Sequence, residues 1–199
     1  SSTLMSTTKA KQAGVLYGAS LAEMKQRNFL EARQYLTRLQ ALGGFDGQAQ
    51  RVVRLLAAEL ALNSGDAAQA IAVLEVKATV GASSDRATRI QLAQSRVATR
   101  KPAQGRLAAS DLSLWLNQHP RDATAWLLQA SAYEQKGDAL RAIRAQAEAR
   151  AMELDYSAAV DRFKAAQALA HAMAREGKLD RGGHVEASII DARLRTLES

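Results

Sequence analysis

The sequence predicts an all-α chain of stacked helical hairpins, and three observations carry that reading. The 199 residues hold only two prolines and 5% aromatics in an Ala-rich background, a composition that favours helix over strand. A small residue recurs at long, nearly even intervals: Ala32, Ala70, Ala108 and Ala142 stand 38, 38 and 34 residues apart. The first three are followed four residues later by Leu36, Leu74 and Leu112, the last by Gln146. A two-residue turn, Gly-Asp, appears at Gly65-Asp66 and again at Gly137-Asp138. Glycine takes the left-handed position after a helix without a Cβ penalty, and aspartate caps the helix that follows.

Residues 1–12, Ser- and Thr-rich and without the apolar core of a signal peptide, read as a linker or a cloning remnant. The first hairpin, about 13–46, places Leu16, Ala19, Ser20 and Glu23 on its first helix, turns at Asn28, and continues with Phe29, Ala32, Leu36 and Leu39 on one stripe. Gly43-Gly44 breaks it. The second, about 51–84, sets Ala57, Ala58 and Ala61 inside; residues 81–85 form a loop in which Ser83 or Ser84 caps the next helix. The third, about 89–122, is interrupted at Lys101-Pro102, where Pro102 suits a first helical turn. Its second helix carries Ala108, Leu112 and Trp115 and ends at His119-Pro120. The fourth spans about 123–156. A helix near 140–153 then serves as second helix of that hairpin and first helix of a unit at 140–176, which turns at Asp155-Tyr156 and carries Ala159, Phe163, Ala166 and Leu169. Gly177 and Gly182-Gly183 mark a loop. A last helix, 184–198, presents Val185, Ile189, Ile190, Ala192 and Leu194 to cap the open end of the stack.

The segment Trp126–Ala149 organises the chain. Trp126, Ala130, Tyr133, Gly137-Asp138 and Ala142 give the pattern W-x3-A-x2-Y-x3-G-D-x3-A, with Gln129 where leucine is usual. This resembles the tetratricopeptide repeat, a helical hairpin of about 34 residues. The resemblance implies a tetratricopeptide-repeat superhelix, an α-solenoid of about four to five hairpins with a C-terminal capping helix.

The sequence shows no catalytic constellation. There is no cysteine, and the three histidines, His119, His171 and His184, lie in no H-E-x-x-H pattern. His184 close to Glu186 reads as a surface pair at a helix start, and no metal or other cofactor is expected in this chain. Trp115 and Trp126 read as core. No apolar run approaches the ~18 residues of a membrane span. The net charge of +7 comes from 19 Arg and 8 Lys set against 20 acidic residues. These arginines are scattered without interleaved aromatics, so they read as a solvated surface, and nucleic acid is not expected as a partner. A steeply salt-dependent shift assay would reverse that expectation.

In tetratricopeptide arrays the ligand groove is lined by first helices. The positions this implies here are Tyr17, Leu21, Met24 and Lys25; Leu55, Glu59, Leu62 and Asn63; and Ile90, Val97, Arg100 and Lys101. Only Asn63 and Arg100-Lys101 suit a carboxylate clamp. The rest suits an apolar or extended polypeptide segment.

A more specific resemblance covers nearly the whole chain. Residues 126–170 followed by His184–Glu198, with the terminal I-I-D-A-R-L, and residues 17–36 near the start, resemble the repeat domain of periplasmic zinc metalloproteases of the β-barrel assembly-enhancing type. That resemblance implies a periplasmic location and a domain cut from a longer protein. Zinc and H-E-x-x-H would lie in a separate protease domain. Recognition of outer-membrane assembly machinery, of polypeptide segments, or of the protease domain itself would fall to this chain. No protease ligand maps onto any residue here. The alternative is a free-standing adaptor or scaffold for secretion or pilus assembly.

Overall fold

The structure, a computed structural model, describes residues 2–75 and 85–198. The expected Ser83 or Ser84 cap and most of its loop lie outside the described residues. Those described are helical, with turns and no strand: α1 (Ser2–Lys25), α2 (Phe29–Leu42), α3 (Gly47–Asn63), α4 (Ala67–Glu75), α5 (Arg86–Ala98), α6 (Pro102–Gln118), α7 (Ala123–Lys136), α8 (Ala139–Met152), α9 (Tyr156–Arg175) and α10 (Arg181–Glu198). Helix α1 therefore takes in residues 2–12, where a linker was expected. No proline interrupts that stretch, and a Cβ built on Gly14 or Gly18 would meet nothing within 4 Å.

One turn recurs between helices. The residue after the helix is left-handed, and the next N–H reaches back to the carbonyl five residues earlier, closing the last turn in a Schellman motif. The bonds are Asn28 to Glu23 (2.9 Å), Asp66 to Ala61 (2.8 Å), Asp138 to Tyr133 (2.9 Å), Asp155 to Arg150 (3.0 Å) and Lys178 to Met173 (2.8 Å). Glycine fills the left-handed position at Gly65, Gly137 and Gly177, but Arg27 and Leu154 fill it in the other two. Asp66, Asp138 and Asp155 then cap the next helix, accepting from the N–H of Gln69, Arg141 and Ala158. The expected Asp155-Tyr156 turn is thus a turn at Leu154, with Asp155 as cap and Tyr156 already helical. Asp85 caps α5, accepting from the N–H and Oγ1 of Thr88 at 3.2 and 2.8 Å.

The contacts divide the chain into two compact units, residues 1–98 and 99–199. In the first, each helix packs on the next, and α3 also lies beside both α1 and α5. The odd helices thus share one layer, and α2 and α4 cover it. Leu16, Met24, Ala32, Leu36, Leu39, Leu56 and Leu60 form one cluster. Ala58, Ala61, Ala70 and Leu74 form another, with Leu55, Leu62 and Leu92 packed against it. Ala32 is fully buried, and at its crossing the Ser20 hydroxyl donates to the Ala32 carbonyl at 2.9 Å. A larger side chain at either position would break that contact. Arg96 ties α5 to α4 through Glu75 at 3.0 Å, and the Gln91 amide donates to the Leu55 carbonyl at 2.9 Å.

In the second unit α6 to α10 pack in sequence order, and α8 also touches α10. Pro102 opens α6 as expected. The two tryptophans are buried with their polar tips satisfied: Trp115 Nε1 donates to Asp122 at 2.9 Å, and Trp126 Nε1 to the Pro120 carbonyl at 2.8 Å. These bonds hold the His119-Pro120 turn. Helix α8 packs on both α7 and α9, as a shared helix must. Phe163, Ala166 and Ala170 from α9 and Leu140 and Ala147 from α8 meet Ile190 and Leu194 of α10.

Two expectations about α10 are corrected. Gly182-Gly183 are not a loop but the first turn of the helix, which Asp180 caps by accepting from the Gly183 N–H at 2.6 Å. A Cβ on Gly183 would lie 2.7 Å from Leu179 Cδ1, so glycine permits that close approach. The buried stripe is Gly183, Glu186, Ile190 and Leu194. Val185 and Ile189 are 58% and 36% exposed, and Ala192 also faces water. Side chains four apart share a face, so the stripe through Ile190 selects Glu186 and leaves Val185 and Ile189 outside.

Candidate binding surface

The expected groove residues divide by burial. Met24 does not line a groove: it is 5% exposed, because α1 buries the stripe Leu16, Ser20, Met24 against α2 and α3. Its sulfur accepts a 3.5 Å contact from the Asn63 amide. Ile90 is likewise buried. Tyr17 and Leu21 are half-buried against the first cluster, and Leu55 and Leu62 against the second. Val97 is half-buried. Glu59 and Asn63, one helical turn apart on α3, are exposed, as is Lys25. Arg100 and Lys101 are exposed in the second unit, where Arg100 is left-handed and the Lys101 carbonyl accepts from Gln135 at 2.6 Å. What the first unit offers on its odd-helix layer is therefore a polar pair, Glu59 and Asn63, together with partly covered Tyr17, Leu21, Leu55 and Leu62.

The even-helix side of the same unit carries a feature that the repeat pattern did not suggest. A cleft of about 360 Å³ runs between α2 and α4 over α3. Arg33, Thr37 and Gln40 stand along one wall at spacings that share a helical face, and Gln69 and Val73 along the other. Ala57, Leu60 and Ala61 form the floor. A second cleft of about 300 Å³ begins at the same Gln40 and continues past Gly44 and Phe45 to Arg54. The small side chains Ala57 and Ala61 leave this space open. Their period is visible in the sequence, but whether such a stripe packs or stays open depends on the neighbouring helix.

In the second unit the charged residues gather between α8 and α10. Glu186 and Glu148 are each 5% exposed. Arg144 pairs with Glu186 through Nε, and Arg141 reaches the same carboxylate at 3.5 Å. Arg193 grips Glu148 with Nε at 3.0 and 3.1 Å and Nη2 at 2.9 Å. Arg144 also lies 5.3 Å over the Trp126 ring, a cation–π contact. Burial pushes the Asp138 carboxyl up, but the side-chain and backbone hydrogen bonds from Arg141, with the Arg141 charge and Lys136, outweigh it and hold it below the usual range. The same contact holds Arg141 above its ordinary value against the opposing effect of burial. Each buried carboxylate faces arginine, so the cluster fastens α10 to α8. The reading of the arginines as a solvated surface misses this cluster. The signal was present: Arg141, Arg144 and Glu148 fall on one face of α8, and Glu186 sits one turn before Ile190 on an otherwise apolar stripe.

Among the described residues no group of three His, Cys, Asp or Glu side chains converges as a metal site would require. His171 and His184 are exposed, and the His119 ring centroid lies 3.8 Å from that of Trp115. No described helix is long and apolar enough to cross a membrane. Compared with protein-family models and with curated proteins, the chain matches none.

Proposed function

We propose that this chain is a polypeptide-binding module of the tetratricopeptide-repeat type. The observation that carries the reading is the repeated unit itself: helix, Schellman turn, aspartate-capped helix, at residues 65–66, 137–138 and 154–155. Stacks of such units present long surfaces built from neighbouring hairpins, and those surfaces suit extended or helical polypeptide segments. The burial of Trp126, Ala130, Tyr133 and Ala142 around the Gly137-Asp138 turn supports the repeat assignment.

The more specific role is recognition of substrate or partner for an envelope zinc metalloprotease in outer-membrane protein quality control. Its support is the sequence resemblance of residues 17–36, 126–170 and 184–198. Measuring the size and metal content of the native protein in its source cells tests it. A product larger by a protease domain, carrying about one zinc, is the expected result. A zinc-free product of about this length contradicts it.

A further inference from the structure

We propose that the cleft track along α2 binds an extended, acidic polypeptide segment of about five residues. This deepens the reading of the chain as a polypeptide-binding module and rests on it. Gln40 lines both clefts, so taken end to end they follow α2 from Arg33 to Gly43. At a rise of about 1.5 Å per residue that is roughly 15 Å, the length of about five extended residues. The floor of Ala57, Leu60 and Ala61 accepts small apolar side chains. The rim amides of Gln40 and Gln69 can each donate and accept, which suits an extended backbone with unpaired N–H and C=O groups.

Charge gives the segment its sign. Residues 1–98 carry 12 Lys and Arg and 7 Asp and Glu, 12 − 7 = +5 of the net charge. Arg33 lines one end of the track and Arg54 the other. Neither forms an ion pair with a described residue. Lys9 adds a third cation: a Cβ placed on Gly44, which lines the second cleft, would lie 2.9 Å from its Nζ. The lining carboxylate, Asp66, is engaged in capping α4. An acidic segment lying here would meet cations at both ends, with the Gln40 and Gln69 amides and a small apolar floor between them.

The test is an array of immobilised random pentapeptides probed with the full chain at low salt. Enrichment of Asp and Glu among the bound peptides is expected, with binding lost about tenfold in Arg33→Glu/Arg54→Glu. The charge-matched control Arg162→Glu/Arg175→Glu, on exposed positions of α9, should keep wild-type binding. Equal loss in both variants, or bound peptides without acidic preference, overturns the proposal. If such peptides instead lose binding on Glu59→Ala/Asn63→Ala, the cleft assignment falls while the polypeptide-binding reading stands. An array that captures no peptide counts against both.

Discussion

Replacing Glu186 with alanine should cost about 2–4 kcal/mol of stability. The carboxylate is 5% exposed and meets Arg144 and Arg141, the latter at 3.5 Å. At that distance, with an effective dielectric near 20, one pair attracts by roughly 5 kcal/mol before desolvation is counted. Desolvation removes several kcal/mol per ion, so the net value of the intact pair is small. Breaking it is another matter. The Arg144 side chain is 15% exposed, and its remaining carboxylate, Glu148, stands 3.8 Å away and is already held by Arg193. An arginine left in that position is nearly unpaired, and such losses cost about 3–5 kcal/mol when burial is complete. Partial access to water from Arg141, 29% exposed, lowers the figure. Chemical denaturation of Glu186→Ala, Arg144→Ala and the double variant reads it directly. The double variant should lose less than the sum of the singles, with a coupling of roughly 1–3 kcal/mol. A Glu186→Ala loss under about 0.5 kcal/mol, or additive singles, would refute the argument that this cluster fastens α10.

The recurring turn makes a reciprocal prediction. Gly137→Ala should destabilise by about 1 kcal/mol, since alanine must adopt φ 84° there. Leu154→Gly should stabilise by about 0.5 kcal/mol, because Leu154 holds φ 64° while 71% exposed; thermal unfolding separates the two signs. Asp138 makes stability depend on acidity. Its folded pKa lies below the unfolded value of about 3.9, so its contribution is present above that value and fades as pH falls through the lower, folded one. Asp138→Asn should therefore lose about 1 kcal/mol at pH 7 and show a shallower acid limb between about pH 5 and 2. Ala142, 2% exposed where α7 and α8 cross, should not tolerate leucine: Ala142→Leu should cost about 1–3 kcal/mol, and an unchanged melting temperature would mean the crossing lies elsewhere.

Local chemistry made most of the fold legible. Gly65-Asp66 and Gly137-Asp138 announce their turns because glycine and aspartate each do one job that few residues can. The small residues expected at helix crossings, Ala32, Ala70, Ala108 and Ala142, are all buried. The turns at Arg27 and Leu154 carry no glycine and were legible only through the neighbouring Asn28 and Asp155; there the Schellman bonds Asn28 to Glu23 and Asp155 to Arg150 close the turn around an exposed, ordinary residue. Gly182-Gly183 misled for the opposite reason. Two glycines look like a break, but Asp180 supplies a cap and Leu179 fills the space that a Cβ would need. Surface chemistry was the least legible. Met24 fits the first-helix pattern as well as Leu21 does, and only the packing of α1 against its neighbours decides which is buried. The larger cleft along α2 has two alanines, Ala57 and Ala61, on its floor, and no periodicity reports whether such small side chains meet a neighbour or a gap.

The most direct test of the polypeptide-binding reading is a site-specific photocrosslinking scan, in source cells, over the exposed positions of α1 to α4. Polypeptide adducts concentrated on one face, either at Glu59 and Asn63 or at Arg33 and Gln40, are the predicted result. No adduct at any position, or adducts spread evenly over all faces, would contradict it.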